Sequence, residues 1–152
     1  MQWFLKVKND LSVLPDMVAH FSDQADAAQE ETKIRGSLER QAQALPGRVA
    51  YRFGELQEIE AVLKHLNIRY DKMRSDHYRK YLERYNRELS DRSIEKYIDG
   101  EQDIVDMSML INEVALVRNK YIAVIKGLEN KSYSINNIVK LRTAGLEDAQ
   151  LD

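Results

Sequence analysis

Residues 49–85, VAYRFGELQEIEAVLKHLNIRYDKMRSDHYRKYLERY, carry the longest unbroken hydrophobic period in the chain. Val49, Phe53, Leu56, Ile59, Leu63, Leu66, Tyr70, Met73, His77, Tyr81 and Tyr85 recur three and four residues apart, with Gly54 the only glycine among them and no proline. A seam of that kind over about five heptads predicts a long helix with coiled-coil-like packing. Its character changes near residue 67, from aliphatic to aromatic and basic. The first part is expected to pack, and the second to carry a binding face.

The basic part stands out from its surroundings. Between Lys64 and Arg92, nine Lys and Arg face five Asp and Glu, a local charge of +4 in a chain whose total is −2. Four of the eight tyrosines, Tyr70, Tyr78, Tyr81 and Tyr85, lie in the same stretch. Cations that reach phosphates, interleaved with rings on which bases stack, are what sequence-tolerant binding of a single strand uses. A solvated amphipathic helix with half-buried tyrosines has the same composition, so both readings stand at this point.

On the N-terminal side, residues 1–11 read as a short extended or fraying segment. A helix is expected from Pro15, suited to a first turn, to Ala44, with a thin apolar stripe of Met17, Phe21, Ala25 and Ala28, continued by Leu38 and Ala42. Gly36 falls within it as a weak point, and Leu45-Pro46-Gly47 reads as the one strong breaker. On the C-terminal side, Ser90 or Asp91 is placed to cap a short helix holding Ile94, Tyr97 and Ile98, which Asp99-Gly100 ends. The broadest apolar face belongs to a helix over residues 101–129, closed by Gly127 and the turn residues Asn130-Lys131-Ser132. Ser134 is placed to cap a last short helix, and residues from Ala144 onward read as a tail. This gives an all-α protein in three parts: an acidic helical segment over 1–46, a helical binding and assembly domain over 47–145, and a tail over 146–152.

Charge is segregated along the chain. Six acids and no Lys or Arg lie between Asp10 and Glu31, and six acids against Lys96 between Glu95 and Glu113. Six basic residues against Glu129 follow between Arg118 and Arg142. Such blocks suit a protein that meets a polyanion on one surface and partners on another. With no cysteine, there is no disulfide framework, thiolate metal site or cysteine nucleophile. Lys6 and Lys8 interrupt the apolar start, so no secretory leader is expected, and no apolar run is long enough to span a membrane. A cytoplasmic location is therefore expected.

Three further features bear on chemistry. Asp99, Glu101, Asp103 and Asp106 suggest a cation loop, but Ile104 and Leu110 stand where a calcium loop needs glycine and glutamate. Acids at a helix start, with Asp99 and Gln102 forming a capping box, account for them better, and no metal is expected. His20, His65 and His77 have no metal-ligand spacing, and no glycine-rich phosphate loop exists, so neither an enzyme nor a cofactor is expected.

Lys72-Met73-Arg74-Ser75-Asp76-His77-Tyr78 has the form K-x-R-x-D-x-Y. It resembles the KARLDYY motif of the UvsY recombination mediators of tailed phages, with Lys72, Arg74, Asp76 and Tyr78 matching and His77 standing for the first tyrosine. Residues 100–105, GEQDIV, look like that family's ADKDVL helix start, and residues 130–138, NKSYSINNI, are similar to its SRGFAIKHI segment. The resemblance spans residues 49–145. It departs where the family has a glycine-containing loop, since RKYLERYNREL reads here as continuing helix.

The resemblance implies a homo-oligomer that binds single-stranded DNA and helps load a RecA-like recombinase onto DNA covered by single-strand-binding protein. In that reading Lys72, Arg74, Arg79, Lys80 and Arg84 hold phosphates, while Tyr78 and either Tyr81 or Tyr85 stack on bases. The alternative is a structural or adaptor coiled-coil protein with no nucleic-acid role.

Overall fold

In a computed structural model, which describes residues 2–84 and 88–148, the protein is all-α, with no strand among the described residues. Helix α1 spans Gln2–Asn9, and a single 3-10 turn, Leu11–Val13, leads into α2, Leu14–Glu31. Helices α3, Leu38–Arg84, and α5, Gln102–Thr143, are the long ones at 47 and 42 residues, with α4, Asp91–Asp99, between them. At about 1.5 Å per residue, α3 is roughly 70 Å long. No helix among the described residues is long and apolar enough to cross a membrane.

The chain forms two compact units, each built from two stretches of sequence. The first comprises Met1–Val18 and Glu58–Arg118, the second Ala19–Gln57 and Asn119–Asp152. Helices α2, α3 and α5 each contribute to both.

The N-terminus is helical rather than extended. Val7 is fully buried, and the Phe4 amide donates to Glu58 Oε1 at 3.0 Å. Burial of one side of the segment makes up for its weak isolated propensity. The Asp10 carboxylate accepts from the Ser12 amide and so ends α1 and starts the next turn.

In the second unit the helix expected to run to Ala44 ends at Glu31, thirteen residues early. Residues 32–37 are non-helical and Gly36 takes the left-handed conformation at φ 72°, where a side chain would be strained. The Ser37 hydroxyl then accepts from the Arg40 amide at the start of α3. Pro46 lies inside α3. Proline in a helix interior costs about 3 kcal/mol and leaves the Ala42 carbonyl unpaired. Ala42 and Pro46 are both exposed, while Leu45, one residue away, is buried against Ala28, Val124 and Leu128. Tertiary burial therefore carries the helix through.

The same unit explains why α5 does not end at residue 129. Lys131, placed in a turn by its neighbours Asn130 and Ser132, is a helix residue only 3 % exposed. Its Nζ donates to the Glu31 carbonyl and to Gln41 Oε1, both at 2.6 Å. A cation thus closes the C-terminal end of α2, where carbonyls lack partners. Ile135 is buried further along the same face, so Ser134 caps nothing.

Gly127 is a site of close approach rather than a helix end. A Cβ placed there would stand 2.9 Å from Thr32 Cγ2. Gly127→Ala should therefore lose about 1–3 kcal/mol to overpacking, set against about 1 kcal/mol of gained helix propensity. Adding Thr32→Ser removes the clashing methyl and should restore or exceed parental stability in urea unfolding. A double variant no better than Gly127→Ala alone would show that the methyl is not the obstacle.

The seam of α3 is as expected at Leu56, Ile59 and Leu66, which are buried. It differs at its N-terminal end, where Arg52 is 6 % exposed and Phe53 is 51 % exposed. The Arg52 guanidinium meets Glu31 at 2.6 Å and Glu55 at 2.8 Å, which makes a buried charge tolerable where periodicity calls for an apolar ring.

Candidate nucleic-acid interface

In the first unit, the C-terminal part of α3 packs on α4 and the start of α5 through Ile94, Ile98 and Ile104, with Tyr70, Met73, Tyr78, Tyr81 and Leu89 around them. The local rules for α4 are met: the Ser90 hydroxyl accepts from the Ser93 amide, and Gly100 closes the last turn. Glu88, Leu89 and Ser90 are not helical, so the expected continuation of α3 through this stretch does not occur. Tyr85 lies outside the described residues.

At 100° per residue, the motif Lys72–Tyr78 cannot present all its side chains to one side. Lys72, Arg79, Lys80 and Arg84 are exposed. Arg74, His77, Tyr78 and Tyr81 are half-buried and face protein partners. The expected site residues therefore divide between an outer face and a packing face.

Every polar group of the packing face has an acid opposite. Arg74 Nη1 meets Asp99 Oδ1 at 2.5 Å, and its guanidinium lies 5.6 Å from the Tyr70 ring centre. The Asp99 hydrogen bond, acting against burial, makes Arg74 hold its proton more tightly than usual. The Tyr78 hydroxyl donates to Asp91 Oδ1 at 2.8 Å, and that bond raises the hydroxyl above its ordinary range. The Tyr81 hydroxyl donates to Glu101 Oε1 at 2.6 Å, and its ring stacks on Tyr97 at 5.7 Å. The His77 Nε2 lies 2.8 Å from Asp103 Oδ2, and the hydrogen bond from this ring holds the Asp103 carboxyl below its usual range.

Asp91, Asp99, Glu101 and Asp103 were missed as partners of the motif. Asp99 and Gln102 do not form a capping box, since Asp99 serves Arg74 and Gln102 donates to Asp106. The signal available in the sequence was the acidic block that follows the basic stretch, but its pairing crosses 13 to 26 residues. Among the described residues, His77, Glu101 and Asp103 bring donor atoms within 4.8 Å of one another, the spacing a metal ion would need. Each is already engaged, by Asp103, the Tyr81 hydroxyl and the Ile104 amide respectively.

This division gives Tyr78 a testable role. Tyr78→Phe keeps the ring and removes the bond to Asp91, so the melting temperature should fall slightly. Affinity for an oligonucleotide should be unchanged, because neither ring packing nor outer-face charge is altered. Unchanged stability with weakened binding would instead make the hydroxyl a ligand contact.

The outer face retains its cations. Among the described residues, no ion pair or side-chain hydrogen bond engages Lys72, Arg79, Lys80 or Arg84. Asp76 and Glu83 share this side of α3, leaving an excess of positive charge. Lys72 and Arg79 are seven residues apart, which places them on one line about 10 Å apart along the axis. Lys80 and Arg84, together with His77, Tyr81 and Glu101, line a hollow of about 250 Å³ at the side of that line. No protein-family model, curated protein or solved structure matches this chain.

Proposed function

We propose that this chain is a non-catalytic protein that binds single-stranded DNA along the outer face of α3. In this reading it acts in the cytoplasm as a recombination mediator, helping load a RecA-like recombinase onto DNA covered by single-strand-binding protein. The observation that carries the binding step is the division of charge on α3. Lys72, Arg79, Lys80 and Arg84 stand exposed on one side, while the acids of the following block are taken up by Arg74, His77, Tyr78 and Tyr81 on the other. The mediator role is supported by the K-x-R-x-D-x-Y resemblance.

The mechanism differs from a cation-and-ring ladder. The four outer cations hold phosphates, and the tyrosines build the platform that keeps α3 rigid beneath them. The Tyr78 and Tyr81 rings reach bases only if α4 parts from α3. Homo-oligomeric assembly belongs to the same reading, because several copies raise the effective concentration of a modest site. The apolar hollow of about 490 Å³ lined by Leu45, Val49, Phe53 and Leu128 is a surface such assembly would cover.

Fluorescence anisotropy with a labelled oligo(dT) and the matching duplex, at two salt concentrations, tests the proposal. Single-strand preference with a steep salt dependence is expected. Equal weak binding of both at low salt, or none, would favour the adaptor reading.

A further inference from the structure

The outer face of α3 continues on the N-terminal side of Lys72. Arg69 and His65 precede it by three and seven residues, so helical geometry stacks the three along one line. With Met73 and Asp76 they line a hollow of about 340 Å³. Helix α1 lies beside it: the Phe4 ring meets the His65 ring edge-on, with centres 6.3 Å apart. Burial, then the charge of Arg69 and that of Lys8 on α1, disfavour a proton on His65. The His65 Nε2 is buried and has no hydrogen-bond partner.

These observations concern one place and have one sign. Two cations, Arg69 and Lys72, line the hollow, one acid, Asp76, opposes them, and Lys8 on another helix adds a positive charge near His65. A guanidinium fork and an ammonium are the groups that hold phosphate oxygens, and an imidazole without a partner adds a donor once an anion favours its protonated form. The charged groups on this side of α3 are Glu58, whose carboxylate accepts from the Phe4 amide, then Arg69, Lys72 and Asp76, with Lys8 on α1.

We infer that the hollow bounded by His65, Arg69 and Lys72, with Lys8 of α1 adding its charge, seats one phosphodiester of the bound strand. The strand then follows α3 from Arg84 back to Arg69, about 22 Å along the axis, and ends beside α1. This rests on the nucleic-acid reading above. It adds α1 to the interface and gives His65 a role that the motif does not supply.

The test uses the full chain, with its histidine ring resonances titrated by NMR alone, with oligo(dT), and with inorganic phosphate at equal phosphate concentration. His65→Gln identifies the His65 signal. Oligo(dT) should raise the His65 titration midpoint, since a bound anion offsets Lys8 and Arg69, and inorganic phosphate should move it far less. Arg69→Gln should flatten the slope of log affinity against log salt by up to about 0.7, the value of one phosphate contact, and Lys8→Gln by less, both at unchanged melting temperature. Arg69→Lys, which keeps the charge, should retain the slope.

If oligo(dT) binds and Arg79→Gln weakens it, while His65 does not move and Arg69→Gln binds as the parent does, the seat is overturned and the nucleic-acid reading survives. If oligo(dT) does not bind, both fail. An equal response to inorganic phosphate would make the hollow a free-phosphate site and overturn the strand path.

Discussion

Arg52→Met should lower the unfolding free energy by about 3–5 kcal/mol. Arg52 is buried, and its guanidinium donates to Glu31 through Nε and Nη2 and to Glu55 through Nη1. The Glu31 and Glu55 side chains are only 27 % and 12 % exposed. Removing the cation leaves two carboxylates short of solvent and short of a partner. The hydrogen bonds to Glu31 come first among the causes that make Arg52 hold its proton more tightly than usual, against an opposing effect of burial. Burial, then the Glu55 charge, likewise drives the Tyr121 hydroxyl upward, which places that carboxylate in a poorly solvated setting.

Urea unfolding followed by circular dichroism measures the loss. Arg52→Lys should fall between parent and Arg52→Met, because an ammonium keeps the charge but cannot form the fork to Glu31. Glu55→Leu added to Arg52→Met should recover part of the loss by removing one stranded acid. A loss below about 1 kcal/mol for Arg52→Met would mean that water screens the cluster as it does a surface pair.

The second large effect concerns binding. Replacing Lys72, Arg79, Lys80 and Arg84 together by Gln should flatten the slope of log affinity against log salt by about 2.8, from roughly 0.7 per single-strand phosphate contact. Over a fourfold rise in salt, the parent should lose about fifty times more affinity than the variant loses. All four positions are exposed, so the melting temperature should stay near the parent's. Arg74→Gln is the contrasting control. It breaks the tie to Asp99 between α3 and α4, so its main effect should be on stability and its effect on the salt slope small. Parental slope in the fourfold variant would remove the outer face as a binding surface and leave the adaptor reading.

Several of these features follow from residues within a turn or two of one another. The burial of Leu56, Ile59 and Leu66 on α3, the Ser90 cap and the Gly100 stop are all of this kind and as expected, although Val62 rather than Leu63 is the buried residue between them. The helical class of the protein follows from them. Met17, Phe21, Ala25 and Ala28 are buried as their spacing requires, whereas Leu38 and Ala42, expected on the same stripe, lie beyond the break in α3, half-buried and exposed respectively. The basic stretch was legible as a cluster, because charge counts need no fold.

Other features depend on partners far along the chain. A proline or glycine penalty of about 1–3 kcal/mol is offset by burying one or two Leu or Ile side chains, at about 1.5–3 kcal/mol each. Pro46 and Gly127 therefore stay helical where Leu45 and Leu128 pack. Lys131 reads as a turn residue until the end of α2 supplies the Glu31 carbonyl. Arg52 breaks the apolar period until Glu31 and Glu55 surround it.

The motif shows the same limit. Lys72, Arg74, Tyr78, Arg79, Lys80, Tyr81 and Arg84 are one composition, and the sequence by itself determined that cations and rings would be concentrated on one helix. Only the tertiary structure decided which of them turn outward. Asp91, Asp99 and Glu101, each 13 to 25 residues beyond its partner, claim Tyr78, Arg74 and Tyr81, and the helical twist leaves Lys72, Arg79, Lys80 and Arg84 to the solvent. Periodicity records the angle of a residue about its own axis, and the neighbour that occupies that angle comes from elsewhere in the chain.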